Sequence, residues 1–161
     1  MDNKTTDFQK VKYVVSSCLI GLNTRYDGGN KLCKPVLQLV KEGLAMPLCP
    51  EQAGGLTTPR PPAELVGGDG KEVLAGKARV ITKQGKDVTH EFIAGALSML
   101  SLARIIGAEK AILKSLSPSC GCGAIYDGTF SGNIVEGDGV TAALLKEAGL
   151  EVITEEELEN D

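Results

Sequence analysis

The sequence VKYVVSSC at residues 11–18 carries the strongest secondary-structure signal near the start of the chain. Its β-branched residues predict a strand that ends at Cys18. The segment PVLQLVKE at 35–42 has apolar residues at helical spacing, with Pro at its start and Gly directly after it. The next segment, LAMPLC at 44–49, predicts a second short strand that ends at Cys49. Strand, helix and strand in this order predict a parallel βαβ unit.

The remainder of the chain continues this alternation after a stretch rich in proline and glycine at 50–70, which we expect to be an ordered surface excursion. The predicted elements that follow are a hairpin at 78–89 turning at Gln84-Gly85, a helix from Thr89 to Gly107, a strand at 111–117, a turn or small hairpin at 125–132, a helix at 139–149 and a strand at 151–154. The pattern predicts an α/β fold, a single Rossmann-like domain with a mostly parallel sheet. We expect this domain to span 1–161, with flexible ends at 1–10 and 155–161.

Composition and charge narrow the classes of function. The chain has 161 residues, enough to bury a core without disulfides, and a formal net charge of −4 with no tryptophan. The acidic balance and the few aromatic residues argue against direct nucleic-acid binding. No apolar stretch is long enough to span a bilayer, and the first ten residues are too polar for a signal peptide. We therefore predict a cytoplasmic protein with no membrane partner.

Five cysteines are present, and three of them follow predicted strands: Cys18, Cys49 and Cys120. Carboxyl ends of parallel strands converge on the ligand crevice of an open α/β sheet. Three thiols distant in sequence would then meet at one place and could bind a metal. Each cysteine could instead fill the core, and the same thiolates could in principle bind zinc.

Three longer segments carry a resemblance to a known family: SSCLIGLNTRYDG at 16–28, CPEQAGGLTTPRPPAE at 49–64 and SPSCGCGAIYDGTFSG at 117–132. They resemble, in the same order, the signatures of the thiouracil desulfidase family. The resemblance implies an enzyme with a [4Fe–4S] cluster held by Cys18, Cys49 and Cys120. It implies a thiopyrimidine as substrate and the iron–sulfur assembly machinery as a partner.

The implied chemistry is a non-redox desulfuration of thiouracil to uracil and hydrosulfide. The substrate sulfur would bind the iron that has no protein ligand, and water would attack the carbon. The resemblance assigns catalytic roles to Glu51 and Ser117. The plain alternatives are a surface or helix-capping carboxylate for Glu51 and turn formation for Ser117.

The sequence does not assign a role to two cysteines, Cys33 and Cys122, or to two arginines, Arg25 and Arg60. The family pattern requires neither Cys33 nor Cys122, and we expect Cys122 to lie beside the site without ligating the cluster. Arg25 could hold the pyrimidine or order its own loop by an ion pair. Arg60 could lie over the site or form a buried pair with Glu64.

Two other functions compete with the desulfidase. The chain could be a carrier that stores or delivers a cluster or sulfur, although a carrier needs no base beside a ligand cysteine. It could also remove sulfur from thiolated tRNA nucleosides, which the acidic charge disfavours.

Overall fold

The computed structural model describes residues 11–159, so the flexible end expected at 1–10 lies outside the described residues. The elements in chain order are β1 (Tyr13–Ser16), α1 (Lys34–Lys41), β2 (Ala45–Leu48), α2 (Pro50–Ala53), β3 (Ala63–Val66), α3 (Gly70–Leu74), β4 (Arg79–Thr82), α4 (Thr89–Ile106), β5 (Lys110–Leu113), β6 (Ala124–Tyr126), β7 (Ile134–Glu136), α5 (Val140–Glu147), β8 (Glu151–Thr154) and α6 (Glu155–Glu159). Among these helices, none combines the length and the apolar character needed to cross a membrane.

Four strands form one parallel sheet in the order β2-β1-β5-β8, so the predicted α/β fold is confirmed. The chain leaves β1 toward one side to form β2 and later returns to the other side of β1 to form β5. Strand order therefore reverses at β1, and the carboxyl ends of strands at such a point form the usual ligand crevice of an open sheet.

Strand β1 is buried on both faces, which explains its continuous apolar sequence. Val14 and Val15 are both fully buried and point to opposite sides of the sheet. Val14 belongs to the core shared with Met99 of α4 and Leu145 of α5, and Val15 to the core shared with Val36 of α1. The two helical layers fix the sheet between them and leave its carboxyl edge free for a site.

The predicted hairpin at 78–89 is present as a short turn: the N–H of Gly85 donates to the carbonyl of Thr82, and further backbone hydrogen bonds flank an antiparallel bridge between Ile81 and Asp87. Strand β4 also pairs antiparallel with β3, which lies inside the 50–70 excursion and which the sequence did not predict. The excursion is therefore structured around its own strand. Strands β6 and β7 form a second antiparallel pair, in agreement with the turn or small hairpin expected there.

Helix α2 packs backbone to backbone on α4 because two glycines face each other at the crossing. A Cβ placed on Gly95 would lie 1.9 Å from the carbonyl oxygen of Pro50, and one on Gly54 would lie 1.9 Å from that of Glu91. Only glycine permits this approach. The contact fixes the short helix that follows Cys49.

The carboxyl-terminal segment differs from the flexible end expected at 155–161. Residues 155–159 form α6, and the side chain of Glu155 is only 8% exposed. The acidic sequence EEELEND suggested solvent exposure, but its first glutamate is drawn inward by the hydrogen bonds described below.

Candidate active site

A cavity of about 630 Å³ opens at the carboxyl ends of β1, β2 and β5. Its volume lies within the range of about 300–1,000 Å³ that is usual for small-molecule sites. Cys18, Cys49 and Cys120 all line it. The fold thus brings together the three cysteines singled out in the sequence, and their role as ligands stays a prediction.

Each cysteine is held by a different local structure. Cys18 lies in a 3₁₀ turn that directly follows β1, and its carbonyl accepts a hydrogen bond from the N–H of Lys31 at 3.0 Å. Cys49 is the residue that precedes α2, and its thiol donates to the carbonyl of Thr24 at 3.7 Å. Cys120 lies in the loop beyond β5 and is buried. The thiols are therefore placed by the sheet edge and by turns that depend on it.

Burial dominates the electrostatics of two of these thiols. Burial, reinforced by the nearby sulfur of Cys49, raises the pKa of Cys18 to about 11. Burial also raises the pKa of Cys120, against a hydrogen bond from the side chain of Ser16. A nucleophilic cysteine needs a lowered pKa, so neither thiol has the character of a nucleophile. A coordinated metal deprotonates a thiol outright, which couples thiolate formation here to metal binding.

The donor set fits an iron–sulfur cluster. Cysteine thiolates are the usual ligands of such clusters. Within residues 11–159, no three His, Cys, Asp or Glu side chains converge closely enough to hold a single metal ion. Tetrahedral zinc requires its ligands to converge on one ion, whereas the cysteines of a cluster bind different irons and stand farther apart. Three thiols spread around one cavity suit the cluster better than zinc.

Glu51 lines the same cavity two residues after Cys49 and is paired with Arg60. The Nε atom of Arg60 lies 3.1 Å from Oε1 of Glu51, and the two side chains are 5% and 15% exposed. Burial raises the pKa of Glu51, while the charge of Arg60 opposes that shift. Arg60 also donates from Nη2 to the carbonyl of Thr24 at 2.9 Å. The pair fixes a carboxylate beside a candidate ligand, as a general base requires.

The suggested pairing of Arg60 with Glu64 is wrong. Glu64 lies on β3 and its Oε1 accepts hydrogen bonds from the backbone N–H groups of Gly128 and Phe130. Arg60 lies at the site, as the other interpretation held, and touches both Glu51 and Cys49.

A buried network that the sequence did not reveal holds the loop after β5. The carboxylate of Glu155 accepts hydrogen bonds from the N–H of Ser115 at 2.9 Å and from its hydroxyl at 2.6 Å. The Nζ of Lys114 lies 3.1 Å from the same carboxylate. Leu116, next in the chain, has a φ of 63°, which is rare for a residue with a branched side chain. The loop that leads to Cys120 is therefore fastened in a strained conformation.

Cations outnumber carboxylates around the cavity. The carboxylates that line it are Glu51 and Glu64, and the cations are Arg25, Lys31, Arg60, Lys83 and Lys114. The guanidinium of Arg25 also bonds to Asp27 at 3.4 Å, so this arginine both orders its loop and faces the cavity. The excess of positive charge favours anionic ligands and products in the cavity.

The comparison with known proteins agrees with this arrangement. Residues 13–157 match the family described as 2-thiouracil desulfurase. The chain belongs to this family. The family predicted from the sequence motifs is thus confirmed, over almost the whole of the described structure.

Two known proteins are similar to this chain over most of its length. An uncharacterized protein of Bacillus subtilis (strain 168), YbbK, is 51% identical over 145 residues, which cover 90% of this chain and 96% of that protein. The solved structure of TudS, a [4Fe–4S]-dependent thiouracil desulfidase, is 44% identical and superposes with a TM-score of 0.82. That match covers 94% of this chain and 95% of the TudS chain.

Ser117 of the desulfurase chain lines the cavity and also shapes the loop. Its Oγ accepts hydrogen bonds from the backbone N–H of Ser119 at 3.2 Å and of Cys120 at 3.0 Å. Turn formation, the plain alternative, is thus present, and the hydroxyl proton of Ser117 stays available to donate elsewhere. Ser119 is buried and bonded to Thr141 instead of lining the cavity.

The two further cysteines are not among the residues that line the cavity. The thiol of Cys122 donates to the carbonyl of Val152 on β8 at 3.6 Å and lies near Lys146. Cys122 packs against the core cluster that contains Cys120, and that it does not ligate the cluster stays a prediction. Cys33 is buried at 2% exposure in the core beneath α1.

Proposed function

We propose that this chain uses a [4Fe–4S] cluster to remove sulfur from a thiolated pyrimidine such as thiouracil. Water supplies the oxygen of the product, uracil, and sulfur leaves as hydrosulfide, so the reaction has no net redox change. The observation that carries the proposal is one cavity lined by Cys18, Cys49, Cys120 and Glu51. Membership of the 2-thiouracil desulfurase family and the similarity to TudS support it.

The three cysteines of the sheet edge would hold the cluster. When bound, the cluster would supply one iron without a protein ligand, which we propose binds the soft thiocarbonyl sulfur as a Lewis acid. Arg60 lies next to one of these proposed ligands, with its Nη2 atom 3.9 Å from the sulfur of Cys49. This cation would stabilise the negative charge of the thiolate.

Glu51 would take the proton from the attacking water. Its carboxylate lines the cavity and is hydrogen-bonded to Arg60, so the proposed base is held in one position. A positioned general base contributes about 100- to 10,000-fold to a rate. Because Glu51 follows Cys49 by two residues, this base would lie next to the sulfur-binding centre.

Ser117 would orient the pyrimidine. Its oxygen is already used as an acceptor by two backbone N–H groups, so its contribution to substrate would be as a hydrogen-bond donor. The carbonyl oxygen of the pyrimidine offers the matching acceptor. The surrounding cations would stabilise the hydrosulfide that leaves.

The test is turnover by anaerobically reconstituted protein with 2-thiouracil and 4-thiouracil, without an electron donor or ATP. We expect loss of the thiocarbonyl absorbance, formation of uracil and release of one sulfide per uracil, and no reaction with apoprotein. Holoprotein that leaves both compounds unchanged, yet transfers its cluster to an apo-ferredoxin, would establish the carrier function instead.

A further inference from the structure

The candidate active site has a second wall that comes from outside the parallel sheet. Tyr126 ends β6, Phe130 lies in the loop between β6 and β7, and Glu64 lies on β3. All three line the cavity that contains the cysteines. We call these three residues the hairpin wall. It brings two aromatic rings to a cavity in a chain whose aromatic content is only 4%.

The backbone at Phe130 has an unusual conformation. Its φ is 57°, in the left-handed region that residues with a Cβ seldom occupy. Bulky residues remain in this region only where the surroundings hold them there. The conformation therefore requires contacts that specify the position of Phe130.

Glu64 supplies those contacts. Its Oε1 accepts a hydrogen bond from the N–H of Gly128 at 2.9 Å and another from the N–H of Phe130 at 3.2 Å. One carboxylate oxygen thus holds the loop on both sides of Thr129. Within the loop, Asp127 accepts a further hydrogen bond from the N–H of Thr129 at 2.9 Å.

The loop also lies directly against β3. Gly128 has a φ of 92°, and a Cβ there would stand 2.5 Å from the carbonyl oxygen of Leu65. The loop can therefore approach the strand that carries Glu64 only because residue 128 is glycine. The hydrogen bonds to Glu64 and this close approach to β3 together fix the position of Phe130 beside the cavity.

We propose that Phe130 stacks on the flat face of the substrate ring and that Glu64 is the positioning residue that holds it there. The inference rests on the proposed function and adds a reason for selecting planar heteroaromatic thiocarbonyl compounds. Aromatic side chains stack on nucleobases without needing a specific hydrogen-bond pattern. The sheet edge would bind the sulfur end of the substrate, and the hairpin wall would bind its ring.

The first experiment compares Phe130→Leu with Phe130→Tyr in the reconstituted holoprotein. Loss of the ring should raise KM for thiouracil roughly 5- to 100-fold, the range expected for one base-stacking contact. The value of kcat and the iron content should stay close to wild type, and Phe130→Tyr should recover most of the affinity. Ile134→Ala, on the same hairpin but outside the cavity lining, serves as the control for general loosening.

The second experiment tests whether Glu64 acts through Phe130. Glu64→Ala should raise KM as Phe130→Leu does, and Glu64→Gln, which keeps an acceptor oxygen, should recover most of that loss. Because both residues would serve one contact, Glu64→Ala combined with Phe130→Leu should be no worse than Phe130→Leu alone. Additive losses in the double variant would overturn the positioning role.

Direct binding separates failure of this inference from failure of the proposed function. Calorimetric titration with 2-thiouracil of holoprotein that also carries Glu51→Gln, and so turns over slowly, measures affinity, and the same order of variants is expected. An unchanged KM and an unchanged Kd in Phe130→Leu would overturn the stacking contact while leaving desulfuration intact. Wild-type protein that neither converts nor binds thiopyrimidines would overturn both.

Discussion

The two walls of the cavity are built from different kinds of structure. The sheet edge places Cys18, Cys49 and Cys120 on turns that follow buried parallel strands. The hairpin wall places Tyr126 at the end of β6 and Phe130 in the loop between β6 and β7, and all three residues of β7 are exposed. The rigid edge suits groups that must hold a metal, whereas the loop-borne wall suits contacts that select a substrate. The difference predicts that substitutions of the three cysteines in the first wall remove the metal and that substitutions in the second wall alter substrate affinity.

The largest effect is expected from the sheet edge. Changing Cys18, Cys49 or Cys120 to Ala should abolish assembly of the cluster and all turnover, because each thiol would bind a separate iron. Iron and acid-labile sulfide analysis after anaerobic reconstitution measures the outcome. Cys33→Ala is the matched control, since Cys33 is a buried core cysteine that does not line the cavity. Full iron content in any of the three variants would remove that cysteine from the ligand set.

The second effect separates chemistry from metal binding within the same wall. Glu51→Gln keeps the shape of the side chain and removes the base, so turnover should fall about 100- to 10,000-fold. The iron content and the visible spectrum should be unchanged, because Glu51 is not a proposed ligand. Steady-state turnover and iron analysis on one preparation give both readouts. Equal turnover with an intact cluster would exclude Glu51 as the base.

A third, smaller effect tests how the fold supports the sheet edge. Gly95→Ala should favour helix α4 by up to about 1 kcal/mol on helix propensity alone. The added Cβ would meet the carbonyl oxygen of Pro50, however, and force α2 away from α4. We expect overpacking to dominate, with a net loss of about 1–3 kcal/mol in the free energy of unfolding of the apoprotein.

Urea denaturation measures this change in stability. Ser101→Ala, on an exposed position of the same helix, is the control and should change stability little. A net gain of stability in Gly95→Ala would mean that α2 and α4 are not in close contact.

The smallest effect is expected at Cys122, which lies outside both walls. Its thiol faces the carbonyl of Val152, and Ser can keep that hydrogen bond. Cys122→Ser should therefore retain four irons per chain and most of the activity. Iron analysis with turnover measurement tests this, and loss of iron would show that the cluster uses a ligand set different from the one proposed.

The comparison of the walls also explains what the sequence could predict. The sheet edge follows from local patterns, because three of the predicted strands end at or near a cysteine and parallel strands align their carboxyl ends. The hairpin wall depends on pairing between β3 and β4, which are separated by a helix, and local periodicity does not specify such a partner. The same limit explains why the local pattern at 78–89 predicted the turn but not the pairing of β4 with β3.

The sequence also could not show which charged residues pair with each other. Arg60 could pair with Glu51 or with Glu64 on sequence spacing alone, and the tertiary position of the loop between β6 and β7 decided the matter by occupying Glu64. Glu155 lies in an acidic run that resembles a solvated tail. Glu155 is buried because it binds Lys114 and Ser115, and Lys114 lies 41 positions earlier in the sequence.

The central claim is that three cysteines hold the cluster and leave one iron for substrate. Mössbauer spectroscopy of anaerobic protein reconstituted with iron-57, recorded with and without thiouracil, tests this most directly. We expect thiouracil to change the signal of one iron site among four and to leave the others nearly unaltered. Four iron sites that remain unchanged while thiouracil is converted to uracil would contradict it.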